Sequence, residues 1–104
     1  MRFCTARARL ADCTESLRLS PNTYYTLDSR GLVYLKMGQF DAAIRDYDAA
    51  LRLNPNIAES LYGRGIAKFK KGDRIAATSD IEAARVINPQ IAGLMATYGI
   101  KASP

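Results

Sequence analysis

Leu27-Asp28-Ser29-Arg30-Gly31 returns thirty-four residues later as Leu61-Tyr62-Gly63-Arg64-Gly65. The same interval carries Gly38 onto Gly72, Ala42-Ala43 onto Ala76-Ala77, Asp46 onto Asp80, Ala49-Ala50 onto Ala83-Ala84 and Asn54-Pro55 onto Asn88-Pro89. Residues 22–55 and 56–89 share 13 identities over 34 positions, where unrelated segments of ordinary composition would share roughly two or three. A period of this kind means stacked units, each burying its apolar face on the next.

Within the period the apolar spacing is helical. Pro21 stops a first helix, and Asn22 or Thr23 is expected to cap the next. That helix is predicted over 23–36, with Leu27, Tyr34 and Met37 facing its partner and Gly31 leaving room for close approach. Met37-Gly38-Gln39 makes a turn, and a helix over 40–53 carries Ala43, Tyr47 and Ala50 inward. The second unit repeats the scheme over 57–70 and 74–87, around Lys71-Gly72-Asp73. Here Lys68, Lys71 and Arg74 replace Tyr34, Met37 and Phe40, so this end is expected to be looser and more solvated, with basic stems covering apolar surface. Upstream, 10–21 superposes on 44–55, with Leu10, Cys13 and Leu17 on one face. Downstream, Ile91-Ala92 and Gly99-Ile100 match Ile57-Ala58 and Gly65-Ile66, predicting a closing helix. With A and B as the two helices of a unit, the order is B, A-B, A-B, A. The chain is expected to be one all-α domain of six helices over 1–104: a half unit over 9–21, full units over 22–55 and 56–89, and a capping A helix over 90–104.

A chain of 104 residues, 48% apolar and 24% charged, suits one small folded domain. The net charge of +5 raises the question of an anionic partner, but Lys and Arg are spread from Arg2 to Lys101, and only Lys68-Phe69-Lys70-Lys71 is dense. A solvated basic face is the preferred reading, and nucleic acid is not the expected partner. Histidine is absent; with no glycine-rich phosphate loop, nucleophile motif or metal-ligand cluster, no catalysis, cofactor or metal is expected. Cys4 and Cys13, nine apart on what reads as one helix, suit neither a zinc site nor a disulfide framework. Cys13 reads as core, and the expected compartment is reducing and cytoplasmic. No run is long or apolar enough for a membrane span or a signal peptide. Residues 1–9 are basic in the manner of a transit peptide, but the frayed start of a helix is the preferred reading.

The chain resembles the tetratricopeptide repeat family. Leu27, Gly31, Tyr34, Gly38, Phe40, Ala43, Tyr47, Ala50 and Pro55 fall on its signature positions in the first unit, and Leu61, Gly65, Gly72, Ala77, Ile81, Ala84 and Pro89 in the second. The resemblance implies a right-handed superhelix of stacked antiparallel hairpins. Arg30 and Arg64 depart from it, since the family usually has leucine there. Each has an aspartate sixteen residues on, Asp46 and Asp80, so salt bridges Arg30–Asp46 and Arg64–Asp80 are expected to tie each hairpin and to reach toward the next.

What the resemblance implies for function is a non-catalytic scaffold that binds a peptide or an amphipathic helix of a partner protein along the inner faces of the A helices. The matching positions are Tyr25, Asp28, Leu32, Leu35 and Lys36, then Glu59, Tyr62, Ile66, Phe69 and Lys70: an apolar, aromatic lining with a basic rim, suited to an apolar segment carrying acidic residues, with the alternative that Tyr62, Leu32 and Ile66 are covered by the neighbouring helix. Members that grip a C-terminal carboxylate use a Lys-Asn clamp; Asp28 and Leu32 stand there instead, so that activity is not expected. A second expectation is self-association, as a homodimer or by exchange of hairpins, because a B helix over 9–20 without its A partner would leave Leu10, Leu17 and the surface behind Cys13 partly exposed, to be covered by another copy or by a region upstream. A third, less favoured, is RNA binding through Lys68, Lys70, Lys71 and Arg74, with Tyr62 and Phe69 stacking on bases.

Overall fold

The computed structural model describes residues 4–5 and 8–100. Six helices follow one another: α1 Leu10–Leu19, α2 Tyr24–Lys36, α3 Phe40–Leu53, α4 Ala58–Lys70, α5 Arg74–Ile87 and α6 Ile91–Thr97. The described chain is all-helical, an α-solenoid of helical hairpins. α2 packs on α3 and α4 on α5 within the units, while α3 packs on α4 and α2 on α4 between them; α1 closes one end against α2, and α6 the other against α4 and α5. One apolar core runs through the stack from Leu17 to Ile100, with Tyr47 and Tyr62 its largest fully buried side chains.

Helix ends follow local chemistry. α2 closes with Gln39 N–H donating to the Tyr34 carbonyl and Gly38 N–H to Leu35, and α4 closes identically through Asp73 to Lys68 and Gly72 to Phe69. This double closure needs a left-handed residue after the cap, supplied by glycine. The Asp73 carboxylate then caps α5 by accepting from Ala76 N–H at 3.2 Å. The expected caps on α2 do not form: Thr23 is the N-cap residue but makes no side-chain cap bond, its hydroxyl donating to the Ser20 carbonyl instead. In Asn54-Pro55 and Asn88-Pro89 the asparagine side chain accepts from the backbone N–H two residues on, a local turn that redirects the chain.

The C-terminal helix differs from expectation. Gly99 does not occupy a mid-helix place like Gly65; it lies at φ 84°, and α6 ends at Thr97. Ile100 N–H donates to Met95 and Gly99 N–H to Ala96, the closure used by α2 and α4. Ile100 folds back into the core with Met95, the apolar contact that accompanies this type of cap. Residues 101–104 of the expected cap lie outside the described residues.

The N-terminal end also corrects the sequence reading. Residues 1–3 and 6–7 of the expected helix start lie outside the described residues, and Cys4, Thr5, Ala8 and Arg9 are not helical. Cys4 and Cys13 are joined by a disulfide, their Cα atoms 4.4 Å apart. On a continuous helix nine residues would separate them by roughly 13 Å. The pairing exists because Cys4 precedes the helix and doubles back, its sulfur lying 3.6 Å from the Thr26 carbonyl oxygen of α2. Leu17 and Cys13 are buried and Leu10 is half-buried, so the apolar patch expected on α1 is largely closed. Met37, expected to face its partner, is exposed at the end of α2.

Candidate functional site

Side chains that tie the hairpins set the frame for the inner face. Arg30 on α2 donates from Nε and Nη2 to the two oxygens of Asp46 on α3, both at 2.7 Å, and its guanidinium lies over the Tyr34 ring. Arg64 on α4 repeats the fork to Asp80 on α5 at 2.8 Å. Its remaining nitrogen reaches back to Asp48 on α3 at 2.9 Å, so one guanidinium joins three helices. Lys68 adds a second cation to Asp80 at 3.0 Å. Burial acts to raise the Asp80 pKa, but Arg64 and Lys68 together hold it below the usual carboxylate value.

The three basic replacements in the second unit are thereby engaged: Lys68 with Asp80, Lys71 with Asp41 at the start of α3, and Arg74 over the Phe69 ring. The loosening expected at this end is offset by these pairs. The stacking expected of Tyr62 and Phe69 is not open, because Tyr62 is buried and Phe69 has Arg74 over its ring, while Lys70, Lys71 and Arg74 remain exposed.

The inner face is also less apolar than expected. Leu32, Leu35, Tyr62 and Ile66 are only 5%, 6%, 1% and 2% exposed, and belong to the core that also holds Ile91, Met95 and Ile100. They hold the stack together as core residues and present little surface to solvent. Tyr25 is 65% exposed, Lys36 and Lys70 are exposed, and Asp28, Glu59 and Phe69 are half-buried. Of the positions expected on the inner face, those left accessible are thus polar and aromatic.

Between α2, α4 and α6 lies a cavity of about 270 Å³, walled by Leu32, Leu94, Met95 and Tyr98 and bordered by Asp28 and Glu59. Asp28 accepts a 2.6 Å hydrogen bond from the Ser60 hydroxyl on α4. Burial raises its pKa to about 6; Ser60 pulls it down and the Glu59 charge pushes it up. Tyr47 also lines the cavity, arriving from α3 through a slot between two glycines. A Cβ at Gly31 would meet the Tyr47 ring at 2.8 Å, and one at Gly63 would meet Cζ and Oη at 2.4 Å. The Tyr47 hydroxyl is buried without a hydrogen-bond partner among the described residues, a rare condition for a polar group.

Sequence reasoning placed Asp28 and Glu59 on this face but missed Ser60, Tyr47, Met95 and Tyr98 as its neighbours. The available signal was Gly63, which stands where the first unit has Ser29: a glycine in mid-helix at a position the period does not require marks something large packed against it.

Residues 31–72, from Gly31 in α2 to Gly72 after α4, match the family model described as TPR repeat. A search of curated proteins finds no significant match to the chain.

Proposed function

We propose that this protein, a member of the tetratricopeptide-repeat family, is a non-catalytic scaffold that holds a peptide or amphipathic helix of a partner protein against the inner faces of α2, α4 and α6. TPR repeats generally serve as protein–protein interaction modules. The observation that carries the reading is the cavity on that face, where Asp28 and Glu59 stand beside apolar walls: a few polar groups in an apolar recess suit the capture of a side chain. Tyr25, Lys36, Phe69 and Lys70 extend the surface on the same helices. Selection of random peptides on the immobilised protein tests this. Enriched peptides are expected to shift amide resonances of α2 and α4 and to bind less well to Tyr25→Ala/Glu59→Ala. Selection of no peptide, or of peptides that perturb only α3 and α5, would sink the reading.

Self-association is a second reading, now supported by α5 and no longer by α1. Ile75 and Val86 are exposed on α5, where the first unit has Asp41 and Arg52. Sedimentation equilibrium giving a monomer mass at high protein concentration would remove it. No helix among the described residues is long and apolar enough to cross a membrane. The cytoplasmic placement gives way, in this proposal, to a compartment in which Cys4–Cys13 stays oxidised.

A further inference from the structure

We infer that the cavity between α2, α4 and α6 is a receptor for one long cationic side chain, a lysine or an arginine, of the bound partner; the inference rests on the scaffold reading above. The chain's net charge of +5 favours anionic ligands at long range, but the cavity has the opposite character. Its two ionisable carboxyl groups are Asp28 and Glu59, on adjacent A helices. Asp28 spends one oxygen on Ser60, which fixes the carboxylate and leaves the other oxygen to accept. Tyr47 also lines the cavity; its hydroxyl is buried and unpartnered among the described residues, so its oxygen is available as a further acceptor, with the ring held rigidly by the slot between Gly31 and Gly63. Ammonium and guanidinium groups carry only donors and need several acceptors converging on one point. Leu32, Leu94 and Met95 provide the apolar wall against which the methylene stem of such a side chain packs. A carboxylate or phosphate entering the same recess would meet two like charges and no cation on its walls.

The test uses the full chain labelled with ¹⁵N and two fragments of the proposed side chain, n-butylammonium and n-butylguanidinium. Pentanoate and 1-pentanol serve as the anionic and neutral counterparts, at equal ionic strength. The expected result is saturable shifts at the amides of Asp28, Ser29, Leu32, Glu59 and Met95 with the cations, and at least fivefold weaker response to the other two. Affinity for the cations falls at least fivefold in Asp28→Asn/Glu59→Gln. The amide oxygen introduced by Asp28→Asn would still accept the Ser60 hydrogen bond, so the fold survives; should the double variant fail to fold, Glu59→Gln alone is expected to weaken cation binding at least twofold. Tyr47→Phe, which removes only the hydroxyl, weakens it as well. Equal response to pentanol or pentanoate, or cation binding unchanged in the carboxyl variants, overturns the inference. Peptides selected on the inner face that contain no lysine or arginine overturn it while leaving the scaffold reading intact. Cations bound in the cavity with no peptide selected overturn the scaffold reading, and with it the partner side chain, leaving only the cavity's selectivity for cations.

Discussion

Asp28 loses its proton only near pH 6, because burial on the inner face disfavours its charge. A carboxyl whose folded pKa lies above its unfolded value binds protons more tightly when folded, so its contribution to stability is full below about pH 4 and is lost as pH rises through 6. A rise from the usual 3.8 to about 6 corresponds to at most about 3 kcal/mol at neutral pH. Asp28→Asn is therefore expected to stabilise the protein by about 1–3 kcal/mol at pH 7.5 and to bring much less at pH 4, as read from urea unfolding at both values. An equal gain at both would show that Asp28 titrates normally. Asp80 runs the other way: held low by Arg64 and Lys68, it contributes above about pH 4 and loses that contribution as acid protonates it. Glycines give a second contrast. Gly63→Ala drives a methyl into the ring of Tyr47, which is fully buried, and overpacking of this kind costs about 1–3 kcal/mol. Gly93→Ala, with nothing within 4 Å of its Cβ, is expected to stabilise α6 by about 0.5–1 kcal/mol. Thermal melts of the two variants should move in opposite directions.

The hairpin ties separate at the level of elements. Asp46 is buried and meets one guanidinium, itself 22% exposed, so the cost of Asp46→Ala falls between the surface and buried limits, at about 1–3 kcal/mol. Asp80→Ala strands Arg64 and Lys68 together, yet Arg64 retains Asp48 on the neighbouring unit. The expected outcome is a coupling energy for Arg64 with Asp48 of about 0.2–1 kcal/mol in a double-mutant cycle, smaller than that for Arg30 with Asp46. A loss below about 0.5 kcal/mol in Asp46→Ala, the range of ordinary surface substitutions, would mark the Arg30 fork as decorative. These ties were legible in the sequence because the period repeats both partners, and the five interhelical boundaries were legible because proline, asparagine and glycine punctuate them. Gly99 was not, since a glycine that matches a mid-helix position looks the same as one that stops a helix; only its φ of 84° distinguishes them. The burial of Leu32, Tyr62 and Ile66 was an open alternative in the sequence and that of Leu35 was not legible there, since both depend on how tightly neighbouring A helices close over one another. No residue within one unit reports that distance. Cys4 escaped for a related reason: its partner lies across a reversal of the chain that no periodic pattern encodes.

Across the whole molecule, each helix packs mainly on its neighbours in the stack, so stability is close to a sum of local terms and unfolding begins at the ends. α3 and α4 lie in the middle and are packed on both sides; α1 meets α2 alone, and α6 has only seven residues. The ends differ in what holds them. α1 is tied through Cys13 to Cys4, which rests against α2, whereas α6 is held by Ile91, Met95 and the folded-back Ile100. Opening the disulfide releases a short loop, worth about 2–3 kcal/mol in the chain-entropy account. Native-state hydrogen exchange is therefore expected to show the slowest amides in α3 and α4 and the faster ones in α1 and α6. Reduction should speed exchange in α1 by about 30-fold or more, the factor equivalent to roughly 2 kcal/mol, while leaving α6 within about twofold of its oxidised rate. Equal acceleration in both end helices would mean that the stack opens as one cooperative unit, and the nearest-neighbour account of this fold would fail.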